Sequence, residues 1–300
     1  MDGFRAEPRM IHRYIFHNDR MLPIEQVRLS PGQAGLLNGY GLFTTLRIFS
    51  GEPFAFERHW RRLEKDAERI RLPMPQPAET VRARLAEVIR ANEVREGTAR
   101  IYLVNNTIGF WRSDEPAPDV DLILYTAGLP PHREPARLAL RPNGRFAGSP
   151  ICSVKTTAWL NNVWNLGEAQ KAGYDEVVLL NERGEVAECT AANVFAVAGG
   201  RVLTPPLSSG CLEGVTRGVL LEIAPRVGIP MEERTLRPED LRRADELFIS
   251  STNRNLIGVG TLEEHTYAAA PGPLTRRLEE AFAAYVADYI AKAAAAPVRR

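Results

Sequence analysis

Apolar side chains between Phe56 and Ile70 recur at helical spacing. Trp60, Leu63 and Ala67 follow one another at intervals of three and four positions, and the positions between them are rich in arginine and glutamate. An apolar stripe on an otherwise charged segment is typical of a helix packed on a core. The segment therefore predicts an amphipathic helix.

Short runs of β-branched and aromatic residues that end at turn-forming residues predict strands. We expect strands over 14–17, 42–49, 100–104, 121–125, 136–141, 176–180, 185–190, 194–197 and 246–250. Helical spacing or a terminating glycine predicts further helices over 79–91, 157–172, 215–227 and 274–293. Strands and helices are mixed in both halves of the chain, so the predicted fold class is α/β (α+β).

A proline-rich segment separates the two halves. Residues 127–135 read AGLPPHREP, and the three prolines and one glycine disfavour regular structure. We expect an N-terminal domain over 1–126, an interdomain linker over 127–135 and a C-terminal domain over 136–300.

The composition argues against several classes of protein. Lysine and arginine number 38 against 37 acidic residues, and a net charge of +1 gives no reason to expect a nucleic acid or an anionic membrane as a partner. The chain has no run of about 18 apolar residues, and MDGFRAEPRM lacks the apolar stretch of a secretory signal, so we expect a cytoplasmic protein. The three cysteines have no CxxC spacing and fit neither a disulfide framework nor a zinc site, and we expect no metal.

The basic residues are almost all arginine, which leaves four lysines for any chemistry that needs an amine: Lys65, Lys155, Lys171 and Lys292. Lys155 stands alone among small and apolar residues, in ICSVKTTAWL. Burial disfavours the ammonium form of a lysine and produces a nucleophilic amine suited to Schiff-base chemistry. The alternative is a lysine that caps a helix and extends its amine into solvent.

Glu188 places an acidic side chain in an otherwise uncharged strand, on the same face as Val186 and Thr190. A buried carboxylate needs a cationic partner or several hydrogen bonds. A protonated pyridine nitrogen would supply one. The alternative is an edge strand on which Glu188 faces water.

Three further features could bind an anion such as a phosphate group. Arg62 lies on the predicted amphipathic helix, the amides of Val215 and Thr216 open a helix after a glycine- and proline-rich loop, and Ser251 and Thr252 end a strand. Each has an ordinary alternative, as a solvated surface arginine or as a cap.

Six segments together resemble the fold-type IV pyridoxal-phosphate enzymes, also called class IV aminotransferases. They are GYGLFTTLR (39–47), HWRRL (59–63), SVK (153–155), GYDEVVLLNERGEVAECTAANVFAV (173–197), TPPLSSGCLEGVTR (204–217) and ADELFISST (244–252). The resemblance implies a small N-terminal domain, a larger C-terminal domain, bound pyridoxal 5'-phosphate and at least a homodimer.

The resemblance also implies roles for individual residues. Lys155 would bind the cofactor covalently and move the proton at the substrate Cα, and Glu188 would keep the pyridine nitrogen protonated. Arg62 would bind the phosphate group. The remaining phosphate contacts would come from Val215, Thr216, Ser251 and Thr252.

The implied reaction is a ping-pong transfer of an amino group between an amino acid and a 2-oxo acid. We predict an L-amino acid with a branched-chain or other apolar side chain, because TPPLSSGCLEGVTR is most similar to the branched-chain aminotransferases. The chain departs from that subgroup at Thr44-Thr45, at Leu160 in place of a tyrosine, and over Ser251–Asn255.

Other functions within or near this family stay open. The Phe-Thr-Thr triplet and ECTAANVF resemble 4-amino-4-deoxychorismate lyase, which releases pyruvate. A D-amino-acid or (R)-amine transaminase ranks lower, because Asn105-Asn106-Thr107 offers no Arg-x-His pair for the D-specific carboxylate site. A non-catalytic pyridoxal-phosphate-binding protein is a further alternative.

The substrate carboxylate needs an arginine or turn amides. Arg100 and Arg47 are the leading candidates because both lie in predicted strands of the N-terminal domain, and Arg112 and Arg145 lie in loops. Four aromatic residues suit an apolar substrate side chain, or else belong to the core: Phe43, Phe110, Trp111 and Trp159.

Overall fold

The computed structural model describes residues 10–106 and 118–295. These residues divide into two compact units. The first unit comprises the described part of 10–130 together with 154–159 and 289–295, and the second comprises 131–153 and 160–288. The boundary at Pro130 lies inside the predicted linker. Residues 154–159, which include Lys155, belong to the first unit although they are flanked in sequence by the second.

The first unit is built on a six-stranded antiparallel sheet in the order β2-β1-β6-β5-β3-β4. The elements in chain order are β1 (Ile11–His17), β2 (Arg20–Pro23), α1 (Ala34–Asn38), β3 (Gly41–Phe49), β4 (Glu52–Pro53), α2 (Phe56–Ile70), α3 (Ala78–Ala91), β5 (Gly97–Asn105) and β6 (Val120–Ala127).

One face of this sheet forms the core of the unit with α2 and α3. Alternate residues of β3, Leu42, Leu46 and Ile48, pack with Trp60 and Leu63 of α2. Because successive side chains of a strand point to opposite faces, Phe43, Thr45 and Arg47 lie on the other face. The sheet therefore has one face that is filled by helices and one that carries aromatic and basic side chains.

Residues 154–159 lie as a short irregular segment beside the start of β3. Thr156 pairs with Leu42, and the Thr157 hydroxyl donates a hydrogen bond of 2.8 Å to the carbonyl oxygen of Gly39. Gly39 has a φ of +65°, and a Cβ there would lie 2.9 Å from the backbone of Ala158. The close approach of this segment therefore requires a glycine at position 39.

The second unit contains a nine-stranded mixed sheet in the order β12-β11-β10-β13-β14-β7-β8-β9, with β15 paired to β14. Its elements in chain order are β7 (Ala136–Arg141), α4 (Leu160–Lys171), β8 (Glu176–Leu180), β9 (Val186–Cys189), β10 (Asn193–Ala198), β11 (Arg201–Thr204), α5 (Val215–Ile223), β12 (Met231–Glu233), α6 (Pro238–Arg242), β13 (Glu246–Ser251), β14 (Asn255–Leu262), β15 (His265–Thr266) and α7 (Pro273–Ala295). Helix α7 ends in the first unit, from Tyr289 onward.

The core of the second unit lies along the central strands. Val194 and Ala196 of β10 pack with Leu247 and Ile249 of β13, and this cluster continues to β7, β8 and β14. Glu188 lies next to the last residue of β9 and is buried, and Ser251 is the last residue of β13 and is half-buried. Among the described residues, no helix combines the length and the hydropathy that crossing a membrane requires.

Candidate active site

Lys155 lies on the aromatic face of the first unit. Its Nζ atom is 4.6 Å from the centroid of the Phe43 ring and 5.8 Å from that of Trp159, and the two rings meet edge to face at 5.9 Å. Helix α4 begins only at Leu160, so Lys155 is not a cap of that helix. The amine thus lies over an apolar surface and is carried by a non-helical segment.

Arg62 is buried on α2 and belongs to a chain of hydrogen bonds. Its Nη2 atom donates to Thr44 Oγ1 at 2.9 Å, and Thr44 Oγ1 lies 2.8 Å from Nδ1 of His59. Burial, with the charges of Arg62 and Lys155, holds the pKa of His59 well below its usual range. Because an arginine can only donate, the Thr44 oxygen accepts from Arg62 and the Thr44 hydroxyl donates its hydrogen bond to Nδ1 of neutral His59. Thr44 therefore orients Arg62.

Arg100 lies on the same face of the sheet as Phe43, among tyrosines. The rings of Phe43 and Tyr102 stack at 5.3 Å, and those of Tyr102 and Tyr125 stack at 5.8 Å. Arg100 donates a hydrogen bond of 2.8 Å to the Tyr102 hydroxyl, and its guanidinium carbon is 5.6 Å from the Phe43 centroid. Burial and the neighbouring Tyr102 raise the pKa of Tyr125, so its phenol is neutral and able to donate.

The structure separates the two arginines that the sequence proposes for the substrate carboxylate. Arg47 lies four residues beyond Phe43 on β3, about 13 Å along the strand. It pairs with Glu96 at 3.4 Å and lies over the ring of Phe49. Arg100 is therefore the arginine on the lysine-bearing part of the face. Phe110, Trp111 and Arg112 lie outside the described residues.

Glu188 is buried in the second unit, and each of its carboxylate oxygens accepts a hydrogen bond. Arg145 Nη2 donates to Oε1 at 2.6 Å, and the backbone N–H of Leu212 donates to Oε2 at 3.0 Å. Glu188 therefore does not face water, although β9 is the last strand in the sheet order. Arg145, which the sequence left as a possible substrate contact, is a partner of Glu188 instead. A carboxylate accepts about four hydrogen bonds, so a pyridinium N–H can be added to these two.

The loop before α5 leads from Glu188 to the predicted phosphate contacts. Asn193 Nδ2 donates to the Leu212 carbonyl oxygen at 3.0 Å, which fixes the loop on β10. Gly214 is the N-cap of α5 and offers no side chain to the first amides, those of Val215 and Thr216. Uncapped amides at the start of a helix suit an anion.

The end of β13 adds hydroxyl groups to the second unit. Ser251 and Thr252 are half-buried, and the neighbouring Ser250 Oγ is buried without a hydrogen-bond partner. The two uncapped amides and these hydroxyls are the donor types that a phosphate ester requires. Each unit by itself therefore offers groups that suit pyridoxal phosphate: a lysine amine and a buried arginine in the first, and a buried carboxylate, amides and hydroxyls in the second.

Comparison with known proteins defines the class. The amino-transferase class IV family matches residues 41–262, and the chain belongs to this family of pyridoxal-phosphate-dependent enzymes, with the fold-type IV architecture. The cofactor of this class is pyridoxal 5'-phosphate.

Individual relatives carry three different activities. The chain is 29% identical to aminodeoxychorismate lyase of Bacillus subtilis, over 88% of this chain and 92% of the relative. It is 27% identical to D-alanine aminotransferase of Staphylococcus aureus, over 92% of this chain and 98% of the relative. The crystal structure of the branched-chain aminotransferase from Thermoproteus uzoniensis with norvaline matches with a TM-score of 0.84 at 26% identity, over 92% of this chain and 95% of that one.

Some members of the site have only a weak signal in the sequence. Strand alternation puts Tyr102 on the same face as Arg100, but only the register of the sheet brings Tyr102 beside Phe43 and Tyr125 beside Arg100. Thr44 and Arg145 have no such signal, since each acts through the side chain that it binds.

Proposed function

We propose that this enzyme is a transaminase that moves the amino group between an L-amino acid with an apolar side chain and a 2-oxo acid. The observation that carries the proposal is the surface around Lys155, where the amine lies over Phe43 and Trp159 and Arg100 lies beside the same aromatic rings. A guanidinium suits a carboxylate, and aromatic rings suit an apolar side chain.

The residues divide the chemistry between them. When bound, pyridoxal phosphate supplies a ring that stabilises negative charge at the substrate Cα. We assign to Lys155 the covalent attachment and the transfer of the Cα proton through Nζ. Glu188 keeps a proton on the ring nitrogen. Arg62, the Val215 and Thr216 amides, Ser251 and Thr252 bind the phosphate group, and Arg100 orients the substrate carboxylate.

We also propose that the enzyme is a homodimer, with α4 at the interface. Leu160, Val163 and Trp164 occupy neighbouring positions on this helix and are 78%, 40% and 65% exposed. Three large apolar side chains at spacings of three and four form a continuous patch, of the kind that protein interfaces cover.

The test is the half-reaction, followed by the visible absorption of the protein loaded with pyridoxal phosphate. L-Leucine or L-glutamate, added without a 2-oxo acid, should convert the bound cofactor to its amine form. Conversion by D-alanine alone would contradict the L-assignment. Absence of conversion by any amino acid, with pyruvate release from aminodeoxychorismate, would establish the lyase instead.

A matched pair of variants assigns the lysine. Lys155→Ala should lose the visible band and the half-reaction together. Lys171→Ala removes an exposed lysine that pairs with Glu168 on α4 and should retain both. Persistence of the band in Lys155→Ala would overturn the assignment of the amine.

A further inference from the structure

The backbone of Lys155 is held from two sides within the first unit. On one side, the N–H of Phe43 donates to the Lys155 carbonyl oxygen at 3.1 Å. On the other, the Lys155 N–H donates to Oδ2 of Asp66 at 3.2 Å. Both peptide groups that flank the Lys155 Cα are therefore fixed, one by β3 and the other by a side chain of α2.

Asp66 ends a buried polar stripe on α2. His59, Arg62 and Asp66 follow at intervals of three and four, so they share one face of the helix, and Asp66 is only 3% exposed. Burial of a carboxylate is costly unless hydrogen bonds or opposite charges compensate it. The roles assigned to the other site residues leave Asp66 without a part in the reaction.

The charges around Asp66 are positive. Burial raises the pKa of its carboxyl above the usual value, and the Lys155 amide with Arg62, Arg69 and Lys155 opposes that rise only in part. His59, the remaining titratable group on this face of α2, is neutral. The carboxylate thus lies where the lysine and the phosphate-binding arginine both place positive charge.

We propose that Asp66 is a positioning residue that fixes Lys155 relative to Arg62, by accepting the Lys155 N–H and by compensating the charge of both side chains. One carboxylate on α2 would then set the place of the reactive amine and of the guanidinium four residues before it. The inference rests on the proposed role of Lys155 and extends it to a residue that does not touch the reacting atoms.

The first experiment measures the exchange of the Lys155 backbone amide with solvent in the apoenzyme. Labelling with ¹⁵N-lysine gives one backbone amide for each of the four lysines, and Lys155→Arg identifies the signal of position 155. Asp66→Ala should make that amide exchange with solvent at least tenfold faster than in the wild-type protein. Asp66→Asn keeps a carbonyl acceptor of the same shape and should restore most of the protection.

The second experiment tests the effect of the Asp66 charge on Lys155. In the enzyme loaded with pyridoxal phosphate, the visible band is titrated with pH, and both Asp66→Asn and Asp66→Ala should move the midpoint to lower pH. Removal of a neighbouring negative charge makes a protonated nitrogen on Lys155 less favourable. Asp121→Asn is the control, because Asp121 is another buried aspartate of the first unit that binds Asn18 and Gln33 instead.

The outcomes separate the two proposals. Unchanged exchange of the Lys155 amide in Asp66→Ala, or an unmoved midpoint in Asp66→Asn, would overturn the role of Asp66. If Asp66→Ala does not fold, Asp66→Ser takes its place, since its hydroxyl is too short to reach the amide. A wild-type protein that shows no visible band at all contradicts the function of Lys155, while the exchange of the apoenzyme still decides whether Asp66 holds the backbone.

Discussion

Arg145 and Glu188 form an ion pair of 2.6 Å inside the second unit, on the carboxylate that we assign to the pyridine nitrogen. The Glu188 side chain is 7% exposed, whereas that of Arg145 is 23% exposed. The partly exposed arginine thus compensates the charge of a buried carboxylate. It fixes the Glu188 side chain before any cofactor is bound.

Arg145→Gln should destabilise the apoenzyme by about 2 kcal/mol, because it leaves the Glu188 carboxylate buried without its charge partner. The expected cost is below that of a fully buried pair, since Arg145 is partly exposed. Urea unfolding of the apoenzyme measures the change. Arg141→Gln, at an exposed position at the end of β7, is the control and should leave the midpoint unchanged. Equal midpoints for the wild type and Arg145→Gln would mean that the pair adds nothing to stability.

The two candidate substrate arginines should differ in kinetics. Arg100→Met removes a guanidinium from the aromatic face that holds Lys155 and should raise KM for the amino acid by about 30-fold, the equivalent of a lost charged hydrogen bond. Arg47→Met removes a guanidinium that pairs with Glu96 and should leave KM within about twofold. Steady-state kinetics with L-leucine compares them. A larger effect at Arg47 would place the carboxylate at the other end of β3.

His59 should make the fold sensitive to acid. In the unfolded chain it binds a proton as the pH falls through about 6.5, whereas the folded protein keeps it neutral to much lower pH. The unfolded state therefore binds more protons below that pH, and stability should fall as the pH decreases from about 6.5 toward the lowered pKa of the folded state.

The measurement compares urea midpoints at pH 8.0 and pH 5.5. His59→Asn places an acceptor near the position of Nδ1 and carries no titratable group. The variant should lose less stability than the wild type between the two pH values. Parallel losses in both proteins would assign the acid sensitivity to other groups.

Trp164→Glu should convert the proposed dimer to a monomer, because it puts a charge in the middle of the apolar patch on α4. Gln170→Glu adds the same charge to an exposed position of the same helix and should leave the dimer intact. Sedimentation velocity distinguishes the two species. A dimeric Trp164→Glu would place the interface on another surface.

The sequence predicts regular elements best where one periodicity dominates. Helix α2 and strands β7 and β8 have the expected bounds, because each has a clear apolar pattern ended by a turn or glycine. The helix expected from residue 157 begins at Leu160 instead. Thr157 instead donates its N–H to the Gly41 carbonyl oxygen and its hydroxyl to that of Gly39, so this end of the segment is bound to the start of β3 and not to a helix.

Strand β14 was not predicted, since glycines interrupt its pattern. A Cβ at Gly258 would lie 2.6 Å from Pro271, and one at Gly260 would lie 3.0 Å from Pro135. These contacts explain why the strand has no side chains at two positions where a sheet usually has them. Such packing depends on tertiary contacts, which the local hydrophobic pattern of the strand does not indicate.

Only some residues of the candidate site could be predicted from the sequence. Lys155 and Glu188 could be chosen because each is chemically unusual in its segment, whereas Arg62, one of several arginines on its helix, was chosen only through the resemblance to the family. Thr44, Arg145 and Asp66 could not, because a threonine, an arginine or an aspartate becomes significant only through the residue that it contacts in space.

The first unit takes residues 154–159 from the middle of a stretch that otherwise builds the second. A chimaera joined at the linker would combine the aromatic face and Asp66 of one parent with the lysine segment of the other. Gly39 would then meet a foreign residue at position 158, and Asp66 a foreign backbone at position 155. Recombination between relatives should therefore succeed only when residues 154–159 come from the same parent as residues 10–130. The lysine segment then keeps its own Gly39 and Asp66.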